Sequence, residues 1–152
     1  MEKEINIAIV GGTGNLGSAL APRLLAPGVK VIIGSRDKEK AKTVVESLKK
    51  IQPKGNLEGK TNQEAVKEAE FVVIAVPYEG HATTVAQLKG QLAGKTVINA
   101  VVPLKKGKPF VPPAGSALLE SQGILGDEAP VIGGHIDIDQ APLIINFHNV
   151  SQ

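Results

Sequence analysis

The 152-residue chain has no cysteine. Disulfides, thiolate nucleophiles and cysteine-ligated metal or iron–sulfur centres are therefore excluded, and any redox chemistry must come from a bound cofactor. Tryptophan is absent too, and one tyrosine and three phenylalanines leave little with which to stack on bases. The charges nearly cancel, 17 basic residues against 15 acidic ones, for a formal +2. On both counts nucleic acid is not an expected partner. No apolar run approaches the roughly 18 residues of a membrane span, so no membrane is expected either. The opening M-E-K-E passes straight into an apolar strand without the zones of a signal peptide, which points to a cytoplasmic protein. Serine–histidine–aspartate order, paired-carboxylate motifs and H-E-x-x-H are also missing.

What is present is ordinary in amount and specific in arrangement. Apolar residues make up 42% and charged residues 21%. That is the balance of a globular chain, and its length suits a single domain over residues 1–152. The chain is organised around residues 5–17, I-N-I-A-I-V-G-G-T-G-N-L-G. Ile5, Ile7, Ala8, Ile9 and Val10 are too uniformly apolar for a half-exposed strand and read as a central parallel strand covered on both faces. Gly12, Gly14 and Gly17 then spell G-x-G-x-x-G. In that spacing the first glycine permits a tight turn, the second lets backbone approach a pyrophosphate, and the third lets helix pack on strand. The motif follows a strand and opens a helical pattern with Leu16, Leu20 and Leu24 on one face, so the reading is dinucleotide binding. Free N–H groups at the helix start, with the side chains of Thr13 and Asn15, would hold the diphosphate.

The rest of the chain continues the βαβ series. A first helix is expected to about Leu25, with a kink from Pro22 near Ser18. Residues 29–34, V-K-V-I-I-G, form a second strand ending at Ser35 and Arg36, about 20 residues past the glycine loop. An NAD-preferring site places an acid there for the ribose 2′-hydroxyl, whereas arginine suits a 2′-phosphate. Here no acid occurs until Asp37, and Lys40 lies one helical turn beyond Arg36. Arg36 and Lys40 can share one phosphate, which favours NADP(H). The plainer alternative for R-D-K-E-K-A-K is a solvated charged face. A short strand near residues 57–59, a helix over 62–69 and a buried strand over 71–76 follow. In the order 3-2-1-4-5-6 that last strand lies beside the first, so Ala75, Val76 and Pro77 face the glycine loop and can wall the nicotinamide ribose. A helix over 81–92, a strand over 96–102, an exposed loop over 107–115, a short helix over 116–125 and a sixth strand over 142–147 complete the pattern. The expected fold is a Rossmann-type α/β doubly wound, mainly parallel sheet with helices on both faces. Residues 131–140, V-I-G-G-H-I-D-I-D-Q, read more readily as a polar turn than as a metal site built from His135, Asp137 and Asp139. His81 reads as the start of its helix.

These residues resemble the NADP-binding domain of the coenzyme F420-dependent NADP oxidoreductase family. The likeness rests on G-G-T-G-N-L-G, on G-S-R with Lys40, on the A-V-P turn, and on F-H-N-V at residues 147–150. It implies that Thr13, Gly14, Asn15 and Leu16 hold the pyrophosphate, that Ser35, Arg36 and Lys40 hold the 2′-phosphate, and that Val76 contacts nicotinamide. It also implies that His148 and Val150 line the deazaflavin side of a hydride-transfer cleft. The expected activity is hydride transfer between NADP(H) and F420 or a flavin-like acceptor, and the other reading is an NADP(H)-binding module or sensor without turnover. Only two residues follow Val150, so the acceptor side is expected to be completed by a second subunit, in a homo-oligomer formed through the sixth-strand edge.

Overall fold

The computed structural model describes residues 4–101, 104–105, 108–109, 111–127, 129–137 and 144–149. Its main sheet has seven strands in the order β3-β2-β1-β4-β5-β8-β9. They are β1 (Ile5–Val10), β2 (Val29–Ser35), β3 (Asn56–Thr61), β4 (Phe71–Ile74), β5 (Thr96–Asn99), β8 (Val131–Asp137) and β9 (Ile144–Asn149). The first six run parallel, and β9 closes the edge antiparallel to β8. A two-stranded pair, β6 (Leu104–Lys105) and β7 (Lys108–Pro109), precedes and enters the loop expected over 107–115. The helices are α1 (Asn15–Leu24), α2 (Lys38–Ile51), α3 (Asn62–Glu68), α4 (Tyr78–Leu92) and α5 (Ala117–Leu125). Among the described residues no helix is long and apolar enough to cross a membrane.

The central strand shows why its sequence is apolar at successive positions. Ile9 enters one cluster with Leu20 and Ala21 of α1 and Ala41 and Val45 of α2. Its neighbours Ala8 and Val10 enter the other, with Val66 of α3, Leu88 and Leu92 of α4, and Leu125 of α5. Successive side chains of a strand alternate faces, so two helical layers require apolar residues throughout. Burying each large aliphatic side chain contributes on the order of 1.5–3 kcal/mol.

Several sequence expectations need correction. Residues 131–137 are not a polar turn, because Val131–Asp137 is the sixth parallel strand, pairing Val97 with Val131 and Asn99 with Gly133. A ladder needs only backbone donors and acceptors, so the two glycines there hide a strand from side-chain pattern without preventing it. The strand expected at 142–147 is therefore the antiparallel edge β9, described over Ile144–Asn149. The strands expected to end at Val76 and Val102 end at Ile74 and Asn99, and α4 begins directly after Pro77 rather than at His81. Asp139, Pro142 and Val150 lie outside the described residues.

Lys30 and Lys60 meet Glu58 and Glu68 on the β2–β3 face. Lys30 Nζ lies 2.8 Å from Glu58 and 3.6 Å from Glu68, and Lys60 contacts both. The hydrogen bond from Lys30 lowers the Glu58 pKa, and that from Lys60 lowers the Glu68 pKa. A depressed folded pKa gives stability that is present above the unfolded carboxylate value and is lost as pH falls through the folded one. Both carboxylates are 40% exposed, so screening limits each pair to under about 1 kcal/mol. Thermal melts should therefore fall below about pH 4, and Glu58→Gln with Glu68→Gln should flatten that part of the profile.

Candidate functional site

The loop between β1 and α1 opposes the turn between β4 and α4 at the carboxyl ends of the strands. Its glycines do different jobs. Gly11, not Gly12, makes the tight turn: its φ is 75°, and a Cβ there would lie 2.7 Å from Val76 Cγ1 and 3.1 Å from the Ala75 carbonyl. At Gly12 a Cβ would strike Ile33 Cγ2 at 2.8 Å, and at Gly17 it would strike Gly12 Cα at 2.6 Å. Those two permit close packing of helix on strand. Gly14 differs, since a Cβ there would meet only the Gly11 carbonyl oxygen, at an ordinary 3.5 Å. Its open side lines the cleft.

The backbone amides of this segment divide cleanly. Gly11 N–H donates to Asn62 Oδ1 at 3.2 Å, Gly12 N–H to the Gly34 carbonyl at 2.9 Å, and Gly14 N–H to the Gly11 carbonyl at 3.1 Å. The N–H groups of Thr13, Asn15, Leu16 and Gly17 have no protein acceptor among the described residues. Helix starts normally satisfy such amides with a capping side chain. Asp37 caps α2, Thr61 caps α3 and Ser116 caps α5. Among the described residues only α1 and α4, begun by Gly14 and Pro77, lack a side-chain cap. Both residues line the same cleft, which therefore lies between two uncapped helix N-termini suited to an anion.

The cleft has a volume of about 460 Å³. Of the residues singled out from sequence, Thr13, Gly14, Ser35, Arg36, Lys40, Val76 and Pro77 line it. Lys38 pairs with Glu64 and Lys42 with Glu39, whereas Arg36 and Lys40 have no carboxylate partner among the described residues. Asp37 also lines the cleft, with its Oδ1 accepting from Glu39 N–H at 3.0 Å as the α2 cap. Ser35 Oγ accepts from Asp37 N–H at 3.1 Å, which leaves its hydroxyl proton free to donate. Gly12, Asn15, Leu16, Gly17 and Ala75 are not in the lining. Leu16 packs into the core, and Ala75 N–H is bonded to the Val10 carbonyl. His148 stands in β9 opposite Gly133.

Sequence reasoning missed three parts of the site. Asn62, Glu79, Gly80 and Thr84 also line the cleft, brought there by α3 and α4. A second hollow of about 290 Å³ adjoins it, lined by Thr61, Gln63, Gln87 and Leu88 and sharing Ser35, Arg36, Asn62 and Thr84. Behind the α4 wall lies a buried polar network around His81, which does more than open its helix. His81 Nδ1 is 3.1 Å from Glu120 Oε1 and its Nε2 is 2.6 Å from Ser121 Oγ, while Asn99 Nδ2 reaches Nε2 and Ser121 Oγ at 3.0 and 2.7 Å. Glu120 also accepts from Tyr78 Oη, and that hydrogen bond raises the Tyr78 pKa. His81 and Ser121 are fully buried, so this serine–histidine–glutamate series has no access to substrate and serves to tie α4, β5 and α5 together.

Comparison with known proteins bears on both fold and family. The chain superposes on 1-pyrroline-5-carboxylate reductase from Streptococcus pyogenes with a TM-score of 0.65 at 17% identity, covering 95% of this chain and 50% of that one. It likewise superposes on the Plasmodium falciparum pyrroline carboxylate reductase solved with NADP bound, with a TM-score of 0.61 at 16% identity, covering 100% and 51%. These likenesses show the doubly wound fold. In sequence the chain is 38% identical over 149 residues to the F420-dependent NADP reductase of Methanocaldococcus jannaschii, covering 91% of this chain and 66% of the relative. It is 41% identical over 102 residues to the F420-dependent NADP reductase of Methanothermobacter marburgensis, covering 66% and 46%. The chain thus spans between about half and two thirds of the length of these relatives. Residues 6–103 match the model of the family described as NADP oxidoreductase coenzyme F420-dependent. With its glycine loop and the Arg36–Lys40 pair inside the matched segment, the chain belongs to the coenzyme F420-dependent NADP oxidoreductase family.

Proposed function

We propose that the cleft binds NADP(H) and that the chain passes hydride between that coenzyme and a deazaflavin of the F420 type or a flavin-like acceptor. One observation carries the coenzyme reading. The two cations near the β2 end that lack carboxylate partners, Arg36 and Lys40, line the cleft into which the uncapped α1 and α4 starts also open. In this reading the free amides of residues 13 and 15–17 take the diphosphate, and Ser35, Arg36 and Lys40 take the 2′-phosphate. The smaller hollow takes the adenine, and Val76 and Pro77 bound the nicotinamide end. The coenzyme supplies the hydride. The protein orients it and excludes water, which is where the rate advantage of such enzymes arises. The acceptor assignment follows the names of the relatives, with His148 on the acceptor side.

Arg36→Asp should weaken NADPH binding by about 10- to 100-fold, the equivalent of the roughly 1.5–3 kcal/mol of a charge-assisted hydrogen bond. NADH affinity should hold or rise. Calorimetric titration of both nucleotides reads the result, and an unchanged NADPH affinity would remove Arg36 from the site.

Turnover is tested by following F420 reduction by NADPH together with light scattering over a range of protein concentrations. We propose self-association through β9, the edge strand beyond β8. Specific activity should then rise with the dimer fraction. A dimer that binds NADPH without turnover would support the sensor reading, and an active strict monomer would exclude the β9 contact.

A further inference from the structure

We infer that Asn62 selects the coenzyme, holding the glycine loop with one end of its amide and donating to the 2′-phosphate with the other. This rests on the NADP(H) reading of the cleft. Gly11 N–H can only donate, so the atom facing it at 3.2 Å must be Oδ1, which fixes the orientation of the amide. Nδ2, with its two hydrogens, then points away from Gly11, and it has no acceptor among the described residues. A cleft-lining amide with one end committed to the protein and the other uncommitted is a donor available to a ligand.

The sheet register places that donor. Gly34 pairs with Lys60 and Ser35 with Thr61, so Asn62 follows Thr61 where Arg36 follows Ser35, at the carboxyl ends of adjacent strands. Asn62 and Arg36 both line the main cleft and the smaller hollow, where the adenosine half of a dinucleotide would pass from one to the other. Gly34 makes room for the Asn62 amide: a Cβ there would lie 2.7 Å from Asn62 Oδ1 and 3.2 Å from Asn62 Cα. The carbonyl of Gly34 also receives Gly12 N–H. The ends of β2 and β3 thus set the loop jointly. An uncharged donor at this point adds a hydrogen bond to a phosphate without competing with Arg36, whereas a carboxylate would repel the phosphate and suit a free 2′-hydroxyl.

The substitution Asn62→Asp separates the two roles, because aspartate still accepts from Gly11 N–H but loses the donor and sets a negative charge where the phosphate would lie. Titrated calorimetrically, N62D should bind NADPH at least tenfold more weakly while NADH affinity stays the same or improves. Gly34→Ala, which displaces the amide from the loop, should weaken both nucleotides together. In the unmodified protein the Asn62 side-chain amide signal in a ¹⁵N spectrum should shift with 2′,5′-ADP and not with 5′-ADP, a readout independent of how any variant folds. If the unmodified protein prefers NADPH yet N62D keeps the same NADPH-to-NADH ratio, or the amide signal responds equally to both fragments, Asn62 only positions the loop and the inference fails alone. If the unmodified protein shows no preference for NADPH, the coenzyme reading fails and takes this inference with it.

Discussion

Replacing Gly14 with valine is expected to abolish measurable NADPH binding while leaving the fold in place. Gly14 has φ −77° and ψ 177°, ordinary extended values that a β-branched residue adopts readily. A Cβ there meets nothing closer than the Gly11 carbonyl oxygen at 3.5 Å. Stability should therefore change by no more than about 0.5 kcal/mol, as for a tolerated surface substitution. The isopropyl group would instead stand over the free amides of residues 13 and 15–17, where the diphosphate must come within hydrogen-bonding distance of backbone. Gly17→Val makes the control. Its Cβ would lie 2.6 Å from Gly12 Cα, backbone against backbone, so this variant should lose stability as well as binding. Equal melting temperatures for Gly14→Val and the unmodified protein, with NADPH binding retained, would displace the diphosphate from this loop.

The second large effect is expected on stability. His81→Leu should cost about 2–4 kcal/mol in chemical denaturation, the penalty of breaking a buried polar network and leaving the Ser121 hydroxyl without an acceptor. In the neutral ring Nδ1 carries the proton toward Glu120, and Nε2 accepts from Ser121 and Asn99. Leucine fills much of the same volume but removes the acceptor from both. The Ser121 hydroxyl would then have its proton stranded in a fully buried site, while Asn99 keeps the Ala117 carbonyl, at 3.3 Å, and Ser121. A double change, His81→Leu with Ser121→Ala, should recover part of the loss because the stranded serine hydroxyl is gone and Asn99 keeps the Ala117 carbonyl. Additive losses instead would show that the two side chains do not act through one network.

Features made by neighbouring residues were legible in the sequence, and features made across the fold were not. The apolar run at 5–10 and the glycines after it carry their meaning locally, as do Arg36 and Lys40 one helical turn apart. The spacing places the tight turn at Gly12, one residue beyond the positive-φ Gly11. The spacing G-x-G-x-x-G is satisfied whichever glycine turns, and only the approach of Val76 marks Gly11. β8 was hidden because V-I-G-G-H-I-D neither alternates nor runs apolar, and its strand character comes from backbone pairing with Val97–Asn99. Asn62 is joined to Gly11 across 51 positions, and His81 to Glu120 and Ser121 across 39 and 40. An asparagine at a helix start and a histidine in a helix have many ordinary uses, so no local pattern distinguishes these. The missing caps on α1 and α4 could have been noticed, since G-N-L-G and P-Y-E-G offer no side-chain acceptor at the capping position.

The central claim is that this cleft is built for a 2′-phosphorylated dinucleotide. Its most direct test is calorimetric titration of the unmodified chain with NADPH and with NADH under identical salt. The arrangement of Arg36 and Lys40 predicts one site per chain, with NADPH bound at least tenfold more tightly and the difference shrinking as ionic strength rises. Equal affinities for the two nucleotides, or an advantage for NADPH that does not respond to salt, would contradict it.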